Sequence, residues 1–191
     1  MSLVELIARA DERGLTAGGL ACLDRCVALL GGDDETLRPM WAALADGTAP
    51  EDWATRLEQA RVKLDAESLA PSAVSVEDEA TLLARRMLAS APATRSAAGA
   101  REWADACSVA ALRIHQLLDA SASDASSVDA YRDGRTEGIS PLVAAELRRQ
   151  ATVLELLAGH GSGGLRQALA VSTEGRRVLR AVVSRRARGR G

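Results

Sequence analysis

Aromatic side chains are almost missing from this chain of 191 residues: there is no phenylalanine, one tyrosine (Tyr131) and three tryptophans (Trp41, Trp53 and Trp103). So few rings leave little for stacking on bases, which counts against a platform for single-stranded nucleic acid. Lysine occurs once, as Lys63, against 23 arginines. That ratio resembles the coding bias of a GC-rich genome, such as an actinobacterial one, so the choice of arginine over lysine carries no evidence of phosphate binding. Histidine occurs twice, as His115 and His160, which leaves few groups able to titrate near neutral pH for general acid and base work. Three cysteines, an odd number, do not make a disulfide framework. No apolar run approaches a membrane span, and the first 14 residues alternate charged and apolar side chains without a signal-peptide pattern, so the expectation is a cytoplasmic protein. No segment alternates with period two, so no strand is expected.

What the chain does contain is alanine, 38 residues, and leucine, 26, the strongest helix formers. Helix punctuation is clear. Ser2 with Glu5 reads as a capping box, and Gly14 as the end of the helix it opens. A second helix is expected from about Thr16 to Leu30, ended by Gly31 and Gly32, and a third after the acids Asp33, Asp34 and Glu35, stopping at Gly47. Thr48, Pro50 and Glu51 read as another capping box, with proline in the first turn, and open a fourth that reaches about Leu69, where Pro71 blocks it. Ser75 with Asp78 opens a fifth, ending before Pro92, and a sixth runs from about Ser96 to Ala120. After a small polar loop at residues 121–127 comes a short helix near Val128 to Asp133. Ser140 and Pro141 start a helix to Ala158, residues 159–164 break the chain, and a last helix runs from Leu165 to about Ser184.

Trp53, Leu57, Ala60 and Leu64 share one helical face, as do Trp103, Cys107, Ala110, Ile114 and Leu117. These are core stripes. The fold class is therefore all-α, a bundle of about eight to nine helices without a sheet. One helical domain is expected over residues 1–184, with a weak boundary near 92–96 and a flexible basic tail at 185–191.

Charge is distributed unevenly. Residues 1–93 hold 16 acids and 9 bases, a net of −7, whereas residues 94–191 hold 10 acids and 15 bases, a net of +5. After Glu174 there is no acid, and there are seven arginines: Arg176, Arg177, Arg180, Arg185, Arg186, Arg188 and Arg190. These seven are the candidate contacts to an anion or a nucleic acid. Val178, Leu179, Val182 and Val183 form an apolar stripe on the same helix, so it can dock and still present charge. No recognition helix can be picked out for reading a base sequence.

Other chemistry is sparse. Cys22 and Cys26 stand four apart and would project from one helical face toward a soft metal with Cys107 or a histidine, but they also flank an apolar stripe as small core residues do, so no metal is assigned. His160, Ser162, Gly163 and Gly164 form a possible small-anion loop, yet the segment follows a helix rather than a strand and lacks the ending of a phosphate-binding loop; a turn with Ser162 as cap is the favoured reading. His115 adjoins a core face and reads as structural. No grouping of nucleophile, base and acid calls for an enzyme, and no cofactor is implied.

The sequence thus reads as a non-catalytic helical interaction or assembly protein with an acidic N-terminal half and a basic C-terminal helix, binding a protein partner or itself, with no membrane. One alternative is a nucleic-acid-associated protein using the arginine-rich end for nonspecific phosphate contacts. Another is a small-ligand binder or enzyme with a site near His160.

Overall fold

The computed structural model describes residues 1–46, 48–66, 75–122 and 127–189, excluding the side chains of residues 65, 66, 161 and 162. Among the described residues there are nine α-helices and no strand: α1 Leu3–Arg9, α2 Glu12–Cys26, α3 Arg38–Ala42, α4 Pro50–Ala66, α5 Val76–Ala89, α6 Ala97–Leu118, α7 Val128–Arg132, α8 Pro141–Gly159 and α9 Gly161–Arg188. A 3-10 turn, Val27–Leu30, continues α2.

Local chemistry sets most boundaries. Ser2 and Ser75 each accept from the backbone three residues on, while Glu5 and Asp78 reach back, so the capping box expected at Ser2 is present and another stands at Ser75. Thr48, expected to form one with Glu51, instead donates its hydroxyl to the Ala42 carbonyl at 3.3 Å, ahead of a helix that starts at Pro50. The break between the first two helices falls earlier than expected. α1 stops at Arg9, and Asp11 accepts from the Gly14 amide at 2.7 Å to open α2, so Gly14 lies inside a helix and terminates nothing. The acids Asp33 to Glu35 are followed by a turn, and α3 begins only at Arg38. The expected stops at Gly47 and Leu69, and most of the loop at 121–127, lie outside the described residues.

α2 lies at the centre, against α6, α8 and α9. Leu15, Leu20, Leu23 and Cys26 on it have no exposed surface. One apolar cluster draws on residues from Ala17 to Leu179 and so takes side chains from both sides of the 92–96 segment. Trp53 and Trp103 meet edge to face across that segment, with ring centres 6.0 Å apart, and Trp53 donates to the Pro92 carbonyl at 2.7 Å while Trp103 donates to that of Met87 at 2.9 Å. Both indole N–H groups are thereby satisfied where α4, α5 and α6 converge.

α8 and α9 form an antiparallel hairpin. The expected break at 159–164 shrinks to one junction residue, His160. Gly164 explains how: a Cβ there would lie 2.3 Å from the Leu156 carbonyl oxygen, so only glycine lets the first turn of α9 approach the last turns of α8 so closely.

Candidate functional site

Two regions concentrate polar chemistry, and they differ in access. The first is a lattice of charged groups inside the bundle. Arg25 of α2 and Glu146 of α8 have no exposed surface, and Arg25 donates through Nε at 2.8 Å and through Nη2 at 2.6 Å to the two carboxylate oxygens. Nη2 also donates to Cys22 Sγ at 3.4 Å, and Nη1 to Ser172 Oγ of α9 at 3.5 Å. Gln150 donates to Glu146 at 2.9 Å and accepts from Ser108 of α6 at 2.7 Å, and Ser108 accepts from Arg132 of α7 at 3.1 Å. Five helices are thus tied through one carboxylate.

His115 of α6 completes this lattice on its far side. Its Nδ1 lies 2.7 Å from the Ala111 carbonyl oxygen, which can only accept, so Nδ1 carries the hydrogen. In the neutral ring Nε2 is then left without a hydrogen-bond partner, 3.5 Å from Glu146 Oε2. Burial lowers His115 below the ordinary imidazole range against the opposing pull of Glu146. Burial also works to raise Glu146, but Arg25, His115 and the hydrogen bonds from Arg25 and Gln150 outweigh it and hold the carboxyl below its usual range. The thiols go the other way. Burial pushes Cys22 up to about 12 and Cys26 and Cys107 well above the ordinary thiol value, so all three are protonated and unreactive at neutral pH. Among the described residues no three histidine, cysteine or acidic side chains gather in a way that could hold a metal ion. The cavity beside Cys22, Ser108 and Gln150 has a volume of about 10 Å³, too little for a substrate.

A second buried pair joins the two halves of the chain. Arg176 of α9 is 1% exposed, pairs with Asp24 of α2, and donates through Nε to Asp34 at 3.0 Å; Trp41 donates to the same Asp24 at 3.2 Å. Asp34 also faces Arg180 at 3.5 Å and Arg177 at 3.8 Å. Arg186 donates to Glu77 of α5 at 2.7 Å and to the Leu118 carbonyl at 3.4 Å. Four of the arginines singled out from the sequence, Arg177, Arg180, Arg186 and the buried Arg176, therefore already face carboxylates of the acidic half. Arg185 and Arg188 are exposed and make no ion pair with any described residue; Arg190 lies outside the described residues. Where a flexible tail from residue 185 was expected, α9 continues to Arg188.

The possible anion loop is not a loop. His160 is exposed at the hairpin junction, Gly163 is exposed in the first turn of α9, and Gly164 is buried against α8; the side chain of Ser162 is outside the described set. His160 thus stands at the opposite end of α9 from Arg185.

The second region is a groove at that Arg185 end. α9 has 28 residues and α8 has 19, so after the turn at His160 α9 runs about nine residues past Pro141, roughly 13 Å. The overhang, the start of α8 and the end of α6 enclose an open groove of about 440 Å³. Its walls are Leu118, Ala120, Pro141, Leu142, Ala145, Val178 and Val182, and Asp119, Arg185 and Arg186 also line it. Asp119 accepts from the backbone and hydroxyl of Ser121 and from the Leu142 amide at 3.0 Å, which keeps it ionised below its usual range despite partial burial.

The chain matches no protein-family model, no curated protein and no solved structure. What the site can do follows from its own geometry. The lattice is sealed, and it holds helices; the groove is open and apolar, and it ends on an exposed arginine. A third cavity of about 530 Å³ lies between α1 and α6, lined by Val4, Ile7, Ala8 and Ala98 with Arg101, Glu102 and Asp105. Arg101 donates to the Ile7 carbonyl at 3.0 Å and Asp105 pairs with Arg132, while Glu102 is exposed, so this cavity presents an acid where the groove presents an arginine. Sequence reasoning missed both the lattice and the groove. The one available signal for the lattice was the pair Asp24 and Arg25 inside the otherwise apolar run from Leu20 to Leu30.

Proposed function

We propose that the protein is a non-catalytic helical interaction protein that receives a segment of a protein partner in the groove formed by the start of α8, the end of α6 and the overhang of α9. The observation that carries this reading is the division of the α9 arginines: four are matched by carboxylates of the same chain, and Arg185 beside the groove meets none among the described residues. Open apolar surface next to unmatched charge is the composition of a docking site, an apolar floor with a polar rim. Absence of catalysis is supported by the sealing of Arg25, His115 and Glu146, each with no exposed surface, since a general acid or base must come within hydrogen-bond reach of its substrate. Nonspecific nucleic-acid binding is the less favoured reading because affinity there scales with the phosphates neutralised, and the internal carboxylates already occupy most of the described candidates.

A photo-crosslinking side chain at Ala120, an exposed residue of the groove wall, tests the proposal against the same group at Arg56, exposed on α4. Discrete protein adducts from position 120 that are missing from position 56 are expected in cells that make the protein. Identical adduct patterns from both positions, or adducts to nucleic acid alone, would contradict it.

A further inference from the structure

Resting on that docking role, we infer that the groove takes an acidic amphipathic helix of another protein, with its apolar face against Val178 and Val182 and its carboxylates toward Arg185 and Arg188.

Shape argues for a helix. The open strip follows α9 from Val178, beside the first turns of α8, into the overhang at Val182 and Arg185, where α8 no longer runs alongside, and so has the form of a missing antiparallel neighbour. A helix bringing apolar residues at i, i+3, i+4 and i+7 fills such a strip while keeping its own backbone hydrogen bonds. Val178, Val182 and Arg185 fall on one side of α9 at spacings of four and three, which is the same periodicity seen from the receiving side.

Charge argues for acids on its flanks. Arg186, which also lines the groove, is held by Glu77 and the Leu118 carbonyl, whereas Arg185 and Arg188 are exposed one turn apart without an acid among the described residues. Asp119, which also lines the groove, is ionised and accepts hydrogen bonds from Ser121 and Leu142, so acids of the incoming helix are favoured beside Arg185 and Arg188 and disfavoured beside Asp119.

Among its described residues, a second copy of this chain does not supply the ridge. The large apolar side chains exposed among the described residues are Met1, Val4, Val62 and Val76. Val76 adjoins Glu77, already bonded to Arg186, and Met1 and Val4 both precede Glu5, which is held in the capping box by Ser2 and followed one turn on by Arg9. Val62 stands alone on α4, between Arg61 and Lys63. None offers two apolar residues one turn apart within an acidic surround.

The test uses the full chain and a stapled helical peptide of roughly 18 residues with leucines along one face and glutamates beside them, together with a twin carrying lysine at every glutamate. Fluorescence anisotropy at low salt is read for the native protein, for Arg185→Glu/Arg188→Glu, and for Ala120→Trp, an exposed substitution that fills the groove without entering the core. The expected result is binding of the glutamate peptide about tenfold tighter than its twin. That preference should be lost or reversed in the double variant, and binding of either peptide blocked by Ala120→Trp. Equal binding of the two peptides, with Ala120→Trp blocking both, overturns the acidic partner and leaves the groove as a docking site. No binding of either peptide at up to about 1 mM, a weak-affinity limit, overturns both readings. Displacement of the glutamate peptide by a short DNA duplex that itself loses binding in the double variant would assign the groove to nucleic acid instead.

Discussion

Arg176 and Arg185 stand on the same helix, two and a half turns apart, in opposite physical situations. Arg176 is sealed between Asp24 and Asp34 and helps fasten α9 to α2; Arg185 projects past the end of α8 beside an apolar groove and meets no described acid. The difference teaches that a charge count along a sequence is not a surface charge. The acidic N-terminal half and the basic C-terminal helix differ strongly in net charge, yet Asp24, Asp34 and Glu77 spend that difference on bonds within one molecule. What remains for a partner is small, local and placed next to open apolar surface.

The largest expected effect breaks the sealed side of this comparison. Glu146→Leu leaves Arg25 buried without its carboxylate and should cost about 3–5 kcal/mol in chemical denaturation, whereas Arg25→Met/Glu146→Leu should recover most of the loss, since it is the stranded charge that costs. A loss in the double variant as large as in the single one would deny that charge burial dominates.

A smaller effect concerns room. A Cβ on Gly175 would lie 2.4 Å from Arg25 Cδ and 2.9 Å from Arg149 Cδ, so Gly175→Ala should cost about 1–3 kcal/mol through overpacking, more than the ~1 kcal/mol that alanine returns in helix propensity. Gly163 has nothing within 4 Å of such a Cβ, and Gly163→Ala should stabilise by a few tenths to about 1 kcal/mol. Matching thermal shifts for the two would mean that α9 is not held as described.

Next comes pH. His115 is depressed when folded, so between its folded value and the unfolded value of 6.5 the unfolded chain binds a proton that the native one does not. Stability therefore falls as pH drops below 6.5. Relative to His115→Gln, the native chain should lose up to about 1.4 kcal/mol more per pH unit between pH 6.5 and 5.5 in urea titrations. Parallel stability curves would remove the neutral, buried imidazole. The smallest effect belongs to the open side: Arg185→Glu/Arg188→Glu should change stability by no more than about 0.5 kcal/mol, because neither arginine holds a described acid.

Most helix starts and stops were legible because they are local. Ser2 with Glu5 and Ser75 with Asp78 needed only three residues of context each, and Pro141 opens α8 as its fixed backbone angle predicts. The 159–164 segment misled because Gly164 serves close packing, which only the neighbouring turns of α8 show, and Gly14 misled because the cap at Asp11 places it inside the first turn of α2. The Arg25 to Glu146 bond spans 121 residues, and periodicity gives the face of a helix but not what lies opposite it. The same limit hid the partners of Arg176 and Arg186. The groove was illegible for another reason: it arises from the unequal lengths of α8 and α9, which depended on reading the chain as turning at a single residue.

The division of the α9 arginines is the centre of the account, and phenylglyoxal labelling of the native full chain, read peptide by peptide in a mass spectrometer, tests it most directly. Arg185 and Arg188 should be modified first, Arg177 and Arg180 more slowly, and Arg25 and Arg176 only after unfolding. Modification of Arg176 in the native protein as fast as that of Arg185 would contradict it.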